Sequence, residues 1–371
     1  MTGRLFEPIT LPTADGAGLR VRNRAFVAPM CQYSADAEDG VPADWHLVHL
    51  GSLASGGFGL VMTEATAVEA RGRISPRDLG LYDDTQQAAH ARIAAFARSQ
   101  GAVAGVQLAH AGGKASTYPS LPDMPVATVP AAERGWSTVS AADGPVLPPL
   151  DPATALDEAG IAAVVEAFAD SARRADEAGY DVVQIHAAHG YLLHQFLSPL
   201  TNTRTDGYGA DERGRTRLVH EVVAAVRKVW PAHKPLGIRI SGTDWVPGGW
   251  DVESSARLIR ALADEHGVTW VDVSSGGLSQ GGVIPVGPGY QVPLAAHLTG
   301  ALTGTDVVVS AVGLIDHAAQ AETILATGQA HAVSIGRAAL RNPRWATQAA
   351  ADLGTPAAAL PHAPQYWRAR W

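Results

Sequence analysis

Residues Asp181–Tyr191 read DVVQIHAAHGY, an apolar run that ends in two histidines three residues apart, followed by a glycine and a tyrosine. A short, nearly continuous apolar run is typical of a parallel β-strand that is covered on both faces. If the strand ends at His186, then His189 follows one turn later and both imidazoles lie over one small space. A buried imidazole is costly without a partner. The pair therefore predicts shared binding of a ligand or a metal, with packing of one histidine against a neighbouring loop as the alternative.

Seven similar runs occur along the chain, and a stretch with helical spacing follows almost every run. The eight predicted strands are Ala25–Met30, Gly59–Ala65, Val103–Ala109, Asp181–His186, Leu236–Ser241, Trp270–Ser275, Asp306–Val312 and Ala332–Gly336. The predicted helices are Asp44–Ser55, Asp84–Gln100, Asp157–Gly179, Glu212–Trp230, Val252–His266, Val292–Leu302, Asp316–Ala326 and Ala338–Leu353. Repeated strand–helix units without a break in composition predict an α/β fold, a single (β/α)8 TIM barrel over residues 1–371, rather than two domains.

Two segments lie outside this repeat. Ile9–Val21, within an N-terminal segment 1–23, predicts a β-hairpin around an Asp-Gly turn that plugs the bottom of the barrel. The segment 116–152 follows the third strand and is rich in Pro, Gly and Ala. Loops of this length are lids or disordered inserts. Its place on the face where barrel enzymes carry their chemistry favours a lid.

Composition narrows the class of protein. The 371 residues include 46% hydrophobic and 17% charged residues, with a net charge of −8, which disfavours nucleic acid or an anionic membrane as the main partner. The single cysteine, Cys31, precludes an intramolecular disulfide and suits a reducing compartment. No apolar run reaches the roughly 18 residues of a membrane helix. We expect a soluble, cytoplasmic protein.

The predicted strand ends carry few acidic residues. Glu64 and Asp272 are the acidic side chains near these ends, so a glycosidase with paired carboxylates is poorly supported. A zinc or iron site could use His186 and His189 together with His110 or Cys31. No ligating carboxylate accompanies them in the sequence, and both the metal and the ligand alternatives stay open at this point.

Two features favour a phosphorylated cofactor. The last two strands run into SAVGLI and SIGRAAL, where Gly313 and Gly336 offer free backbone N–H groups and Arg337 adds a charged donor; simple turns are the alternative. Arg239 lies inside the apolar strand GIRIS and needs a partner there. A flavin offers one near its N1 and O2 atoms, and Gln107 could bond the pyrimidine edge of the same ring. The alternative partner of Arg239 is a barrel carboxylate.

A series of motifs in a fixed order spans almost the whole chain. They are APMCQYSA (28–35), DWHLVHL (44–50), TEATAV (63–68), GRISPRDLGL (72–81), QLAHAGGKAS (107–116), QIHAAHGYLLHQFLSPLTNTRTDGYG (184–209), SSGG (274–277), GPGYQVP (287–293) and SIGRAALRNP (334–343). Through them the chain resembles the Old Yellow Enzyme family of FMN-dependent ene-reductases, and within it the bacterial class of thermophilic-type enzymes and xenobiotic reductase A. One position departs from the family pattern HAGRK: Gly113 replaces the arginine.

The resemblance implies noncovalent FMN at the carboxyl ends of the strands, with NADPH or NADH as reductant and no metal. The residues that it places against the flavin are Ala28, Pro29, Met30, Cys31, Ala65, Gln107, Arg239, Gly336 and Arg337, with Gly313 near the phosphate. Cys31 would tune the flavin potential and the substrate fit without acting as a nucleophile.

The resemblance also implies the acceptor chemistry. His186 and His189 would bond the carbonyl oxygen of an enone, enal or maleimide, or the equivalent group of a nitroalkene. The flavin N5 would deliver hydride to Cβ, Tyr191 would protonate Cα, and Tyr33 would help to hold the substrate. In the tail QYWRARW (365–371), Arg368, or Arg370 as second choice, would reach the site of a neighbouring subunit in a homodimer or a dimer of dimers. A frayed tail 362–371 is the alternative.

Two further function classes stay open from the sequence. One is a metal-dependent lyase or hydrolase that uses His186 and His189. The other is a flavin-binding sensor or scaffold without turnover, against which the intact set of His186, His189 and Tyr191 argues.

Overall fold

The computed structural model describes residues 3–366 and 368, and eight parallel strands within them form a closed barrel. The strands follow one another around the barrel in chain order, and the last pairs with the first through Val333 with Ala25 and Ile335 with Val27. The (β/α)8 barrel is confirmed. The strands in the described part of the chain are β1 (Ile9–Leu11), β2 (Leu19–Val21), β3 (Ala25–Val27), β4 (Leu60–Ala67), β5 (Val103–Ala109), β6 (Val139–Ser140), β7 (Thr154–Ala155), β8 (Val182–Ala187), β9 (Leu236–Ser241), β10 (Trp270–Ser274), β11 (Val308–Ala311) and β12 (Ala332–Ile335).

Helices surround the barrel and cover the outer faces of β3–β5 and β8–β12. Those of the described residues are α1 (Asp44–Ser55), α2 (Asp84–Ser99), α3 (Glu158–Glu177), α4 (Leu192–Leu197), α5 (Glu212–Val229), α6 (Val252–His266), α7 (Val292–Ala301), α8 (Ala318–Ala326), α9 (Arg337–Arg341) and α10 (Trp345–Asp352). Asp83, Asp157, Asp211 and Asp251 each accept a backbone N–H three residues later, and these bonds fix where α2, α3, α5 and α6 begin.

The amino end of the barrel is closed by the predicted hairpin. Strands β1 and β2 pair in antiparallel register with Ile9 opposite Val21. Leu11 and Val21 are fully buried against the first inward-facing side chains of the barrel strands, among them Phe26 and Trp270. The rings of Phe26 and Trp270 meet edge to face with their centroids 5.9 Å apart. The lower barrel is therefore a dry apolar plug, and the polar side chains are confined to its upper half.

One predicted helix was wrong in its extent, and two local elements were not predicted. The helix expected over Ala338–Leu353 is divided into α9 and α10 at Asn342-Pro343, because proline lacks the N–H that a continuous helix needs. The short helix α4 directly after the turn that follows β8 was not expected. Neither was the pairing of the two-residue strands β6 and β7.

The segment 116–152 folds back on the carboxyl ends of the barrel strands. The N–H of Trp136 donates to Oγ of Ser116 at 2.8 Å, and its indole N–H donates to the carbonyl of Arg71 at 2.9 Å. The guanidinium of Arg73 lies 5.2 Å from the centroid of the Trp136 ring. These contacts place the middle of the segment beside the end of β4, where it forms part of the wall of the site.

Among the helices that the structure describes, none has both the length and the hydropathy that are needed to cross a membrane.

We expect Leu11→Ala to lower the free energy of unfolding by about 2 to 5 kcal/mol, because the substitution leaves a cavity in the plug where no neighbouring element can collapse. Denaturant unfolding of the purified protein measures this loss. Leu340→Ala is the matched control, since Leu340 is exposed and its truncation is expected to change stability by about 0.5 kcal/mol or less. Equal losses for the two variants would contradict the role of the hairpin as a plug.

Candidate active site at the carboxyl ends of the barrel strands

The turn after β8 has a backbone that brings three functional side chains together. His186 is the fifth residue of β8, whereas His189 and Gly190 adopt left-handed backbone with φ of 59° and 71°. A Cβ at Gly190 would lie 2.5 Å from the carbonyl oxygen of Gly277. Only glycine therefore allows this turn to contact the loop after β10, and the contact holds the His189 ring over the barrel.

Side chains of helix α4 hold the same turn in place by hydrogen bonds to the backbone of Gly190. The Nδ1 atom of His194 accepts the N–H of Gly190 at 2.9 Å, and its Nε2 atom lies 2.9 Å from Oδ1 of Asp244. The amide of Gln195 donates to the carbonyl of Gly190 at 2.7 Å. All three side chains are fully or almost fully buried. The sequence analysis assigned no role to His194 and Gln195, although two polar residues inside the apolar segment LLHQFL were a visible signal.

His186, His189 and Tyr191 form one contact cluster. Nε2 of His186 and Nδ1 of His189 are 3.3 Å apart. The ring centroids of His186 and His189, and those of His186 and Tyr191, are each 5.0 Å apart with nearly perpendicular planes. The structure thus brings together the three side chains that the sequence analysis placed at the reacting centre.

The environment of the cluster holds its groups in their neutral forms. Burial, reinforced by the positive charge of Arg239, lowers the pKa values of His186 and His189 well below the usual range. Burial raises the pKa of Tyr191 well above its usual range. At neutral pH the site therefore presents two uncharged imidazoles and a protonated phenol.

Hydrogen bonds determine which ring nitrogens can donate. Nδ1 of His186 accepts the N–H of Ala188 at 3.2 Å, so its proton lies on Nε2. Oγ of Ser274 lies 2.7 Å from Nε2 of His189. When this hydroxyl donates, the proton of His189 lies on Nδ1. An oxygen atom placed beside the two facing nitrogens can then accept a hydrogen bond from each ring.

The metal alternative lacks a ligand set in the described residues. Both ring nitrogens of His110 are engaged elsewhere, with Glu69 at 2.7 Å and with the N–H of Gly112 at 3.0 Å. Within residues 3–366 and 368, the groups of three possible ligand atoms that lie close enough together for one ion include neither His186 nor His189. The two histidines are arranged as hydrogen-bond donors rather than as a metal site.

A cavity of about 210 Å³ lies at the ends of β11, β12 and β3. Seven of the residues predicted to contact a cofactor line it: Ala28, Pro29, Met30, Arg239, Gly313, Gly336 and Arg337. The N–H groups of Gly313 and Gly336 donate to no acceptor in the described part of the chain, and the Arg337 guanidinium has no ion-pair partner there. Converging free N–H groups and a free guanidinium are suited to a phosphate.

Arg239 is held by a buried carboxylate inside the barrel. Its Nε atom lies 2.9 Å from Oδ2 of Asp272, which is fully buried. The other oxygen of Asp272 accepts from the hydroxyls of Ser310 at 2.6 Å and Ser334 at 2.7 Å. The barrel carboxylate that the sequence analysis considered as the partner of Arg239 is therefore present. Arg239 lines the cavity whereas Asp272 lies outside its lining, so the carboxylate positions the guanidinium and leaves it open to a ligand contact.

Gln107 lies in the barrel interior beside this network. Its side-chain amide donates to Oε1 of Gln184 at 2.7 Å. The amide nitrogen of Gln184 is buried and has no partner among the described residues. Since an unpaired buried donor is costly, this pair of amides is suited to a polar ligand above it.

Cys31 and Ala65 lie on the side of the site nearest to β4. Both belong to an apolar cluster that also includes Trp136 and Tyr191. Burial, with the nearby carboxylates of Asp78 and Glu64, raises the pKa of the Cys31 thiol well above its usual range. The thiol is therefore protonated at neutral pH and unsuited to nucleophilic attack.

A second cavity, of about 370 Å³, lies between the 116–152 segment and the cluster. Tyr33, Lys114 and Tyr191 line its floor, and residues 117–121, 124–127 and 147–150 line its walls. Lys114 donates to the carbonyls of His189 and Gly277, both at 2.7 Å, and its Nζ atom lies 5.1 Å from the centroid of the Tyr191 ring. Burial lowers the pKa of Lys114 to about 8. The sequence analysis did not assign Lys114 a role.

Gly113, the departure from the family motif, lies under the 116–152 segment. A Cβ at this position would lie 2.4 Å from Cγ2 of Val146. The glycine thus lets the segment pack directly on the turn after β5, in space that the family's arginine side chain would need.

The described residues of the C-terminal tail, 362–366 and 368, line neither cavity of their own chain. Residue Arg368 is exposed in a turn and lines neither of the two cavities. Two residues earlier, the guanidinium of Arg344 lies over the ring of Tyr366, 4.2 Å from the centroid of that ring. The second-choice residue, Arg370, lies outside the described residues.

The fold and the site together define a barrel enzyme with its reactive side chains at the carboxyl ends of the strands. The model of the NADH:flavin oxidoreductase / NADH oxidase family matches residues 4–355. NADPH dehydrogenase of Geobacillus sp. (strain WCH70) is 39% identical over 368 residues, which cover 99% of this chain and 100% of that protein. NADPH dehydrogenase of Listeria monocytogenes serotype 4a (strain HCC23) is 42% identical over 336 residues, 90% of this chain and 92% of that protein. Among solved structures, morphinone reductase matches with 25% identity and a TM-score of 0.74, over 100% of this chain and 90% of that chain.

The chain therefore belongs to the NADH:flavin oxidoreductase / NADH oxidase family, and the resemblance to the Old Yellow Enzymes is confirmed. The protein is an oxidoreductase, and its cofactors are FMN and NAD(P)H. The residues present fit FMN. The free N–H groups of Gly313 and Gly336 suit its phosphate, and Arg239 and the Gln107–Gln184 amides suit the polar edge of its ring.

We expect Asp272→Asn to lower the free energy of unfolding of the FMN-free protein by about 3 to 5 kcal/mol, because it leaves the buried guanidinium of Arg239 without its counter-charge. Denaturant unfolding measures the loss. The double variant Asp272→Asn/Arg239→Met removes both charges and is expected to recover most of the stability while still binding FMN poorly. If the double variant is as unstable as the single one, the charge pair is not the cause.

Proposed function

We propose that the protein is an ene-reductase that reduces the activated C=C bond of α,β-unsaturated carbonyl compounds by a ping-pong mechanism. The observation that carries the proposal is the convergence of two neutral imidazoles and a protonated phenol beside a cavity suited to FMN. NAD(P)H and the acceptor would use the same space in turn. Bound FMN would supply the redox chemistry, namely transfer of a hydride taken from NAD(P)H to Cβ of the acceptor.

The cofactor would lie between two groups of residues. On one side, the Ala28–Cys31 backbone, Ala65 and Gln107 would contact the ring. On the other, Arg239 would lie near its anionic edge, while Gly313, Gly336 and Arg337 would hold the phosphate. The shared cavity of Ala28, Arg239, Gly313 and Arg337 supports this arrangement.

His186 and His189 would bind the carbonyl oxygen of the acceptor. Nε2–H of His186 and Nδ1–H of His189 would both donate, and these bonds strengthen as negative charge builds on the oxygen. Because both rings stay neutral when buried beside Arg239, they stabilise the charge as donors and do not protonate the product. Ser274 would act as a positioning residue that keeps the His189 proton on Nδ1.

Tyr191 would supply the proton to Cα. Its high pKa keeps the phenol protonated at neutral pH. Its ring packs against His186, so a bound carbonyl oxygen and the phenol would face the same substrate. Lys114, above the ring, would stabilise the negative charge that the phenolate acquires.

The second cavity would receive the acceptor. Tyr33 and the 116–152 segment bound it, and its walls carry Leu121, Met124, Pro125 and Leu147. A mostly apolar wall above a polar floor suits enones, enals, maleimides and nitroalkenes, which have a polar head and an apolar body. Cys31, protonated and packed in the neighbouring apolar cluster, would shape the fit of the substrate and the potential of the flavin.

We also propose a homodimer, or a dimer of dimers, in which Arg368 reaches the site of the neighbouring subunit. The exposed position of Arg368, beyond a tail segment anchored through Tyr366 and Arg344, supports this proposal. The single cysteine and the absence of a disulfide suit the cytoplasm as its location.

The function is tested by following the flavin absorbance in two oxygen-free steps. NADPH is expected to bleach the yellow protein, and 2-cyclohexenone is expected to restore the colour. Tyr191→Phe should slow the second step by about 10²- to 10⁴-fold, and His186→Ala by about 10²- to 10³-fold. Tyr191→Phe should leave bleaching by NADPH intact.

Recovery of the colour at the wild-type rate in His186→Ala would remove its assigned role. Equal damage to both steps in Tyr191→Phe would exclude a specific proton donor. Bleaching that no unsaturated carbonyl reverses would reject the ene-reductase and favour a flavoprotein without this turnover.

The oxidative half-reaction is expected to slow as the pH rises through about 8. Lys114 is cationic below its depressed pKa of about 8 and loses its charge above it, so the phenolate of Tyr191 loses a stabilising cation. Stopped-flow rates with 2-cyclohexenone between pH 6 and 10 measure the profile. Lys114→Met should react slowly throughout without this alkaline decline, whereas Lys114→Arg, which stays charged, should keep its rate above pH 8. A decline near pH 8 in both variants would exclude Lys114 as its source.

A further inference from the structure

Two histidines and a glutamate converge on the outer surface of the barrel, away from the carboxyl-end site. His220 projects from the middle of α5, and Glu265 and His266 are the last two residues of α6. The two imidazoles are about four-fifths buried, whereas Glu265 is exposed. Neither α5 nor α6 contributes a side chain to the proposed ene-reductase chemistry, so that chemistry gives this cluster no role.

The distances within the cluster match a tetrahedral metal site. Nδ1 of His220 lies 3.3 Å from Nε2 of His266 and 3.3 Å from Oε2 of Glu265, and the third separation, from Nε2 of His266 to Oε2 of Glu265, is 3.7 Å. Ligands about 2.0 to 2.1 Å from a tetrahedral zinc ion are separated by about 3.3 to 3.4 Å. One ion placed among three ligand atoms at these separations can therefore bind each of them without any movement of the helices.

The small number of hydrogens available within the cluster also favours a cation. When one ring donates to the other, a single hydrogen lies between the facing nitrogens of His220 and His266, and the carboxylate of Glu265 brings none. A metal-free cluster therefore shares a single N–H among three lone-pair-bearing atoms, whereas a divalent ion would accept a lone pair from each.

The surroundings of the cluster are open and acidic. His220, Glu265 and His266 line a cavity of about 780 Å³ between α5, α6 and the loop before α5. Its charged walls are formed by four carboxylates and two guanidinium groups: Asp206, Asp211, Glu221, Glu265, Arg213 and Arg217. Arg217 is paired with Glu221 at 2.8 Å. Asp206 is paired with Arg204 at 2.6 Å, so the charges that remain are those of Asp211, Glu265 and Arg213, with one negative charge in excess. This excess favours a cation, and the cavity leaves room for water at a fourth position.

We propose that His220, Glu265 and His266 form a binding site for a zinc-like divalent transition-metal ion, with a fourth ligand position open to the cavity. Imidazole and carboxylate are ligands that suit zinc. The ion would join the middle of α5 to the end of α6. It would therefore stabilise the packing of these two helices without taking part in the flavin reaction.

The test uses tag-free, FMN-loaded protein and ZnCl₂ in equilibrium dialysis against a chelator-buffered zinc series. We expect one zinc ion per wild-type chain, and loss of that ion in His220→Gln and in His266→Gln. His297→Gln is the matched control, because His297 faces a single carboxylate, Glu253, at 3.1 Å; it should retain the ion. Zinc should also raise the melting temperature of the wild type and of His297→Gln, but not that of the other two variants.

X-ray absorption spectroscopy at the zinc edge of the loaded wild type should show two imidazoles and one carboxylate oxygen in the coordination shell. Wild-type protein without stoichiometric zinc would overturn the proposal. So would an ion retained in His266→Gln, which would place the metal at another cluster such as Cys31, Glu64 and Asp78. Enone reduction should be the same in all four proteins, because none of these histidines lies in the proposed catalytic machinery.

Discussion

The upper half of the barrel depends on the pairing of Arg239 with Asp272. A guanidinium inside a barrel is tolerated only with a counter-charge, and Asp272 supplies it at 2.9 Å while its second oxygen holds the hydroxyls of Ser310 and Ser334. One carboxylate thus connects β9, β10, β11 and β12 across the barrel interior. Burial, reinforced by the charge of Arg239, lowers the pKa values of His186 and His189, and Arg239 also lines the cofactor cavity. The same interaction therefore serves both the fold and the chemistry.

The division of the barrel into a dry lower half and a polar upper half follows from the order of side chains along each strand. Trp270, Asp272 and Ser274 are inward-facing residues of the single strand β10. They belong to the plug, to the charge pair and to the hydrogen bond with His189 respectively. Apolar residues near the starts of β3, β4, β5, β8, β10, β11 and β12 let the hairpin seal the barrel. The hydrogen-bonded side chains at the strand ends are therefore attached to a rigid base. This base can hold the site residues within about 0.5 Å of their required positions.

Much of this arrangement was predictable from the sequence, because it depends on periodicity and strand ends. The eight apolar runs predicted the barrel, and Ile9–Val21 predicted the hairpin, whose register the structure supplies. The polar residues at the strand ends, His186, Arg239, Gly313 and Gly336, indicated where the site lies. What the sequence could not give was long-range pairing. The contact of His194 with Asp244, the contact of Lys114 with two carbonyls and the packing of Val146 on Gly113 join segments whose separation is set only by the folded chain.

The same reasoning explains why the cluster of His220, Glu265 and His266 is invisible in the sequence. Its members lie on two consecutive helices, 45 and 46 residues apart, and no spacing rule relates one helix to the next. Their convergence depends on the barrel, which fixes α5 beside α6 through the pairing of β8 with β9. The barrel thus brings side chains of neighbouring helices together on its outer surface, just as it brings side chains of neighbouring loops together at its carboxyl end. The difference is the degree of burial. The carboxyl end buries His186 and His189 deeply enough to make them neutral donors, whereas His220 and His266 keep about a fifth of their side-chain surface exposed and would have access to a solvated ion.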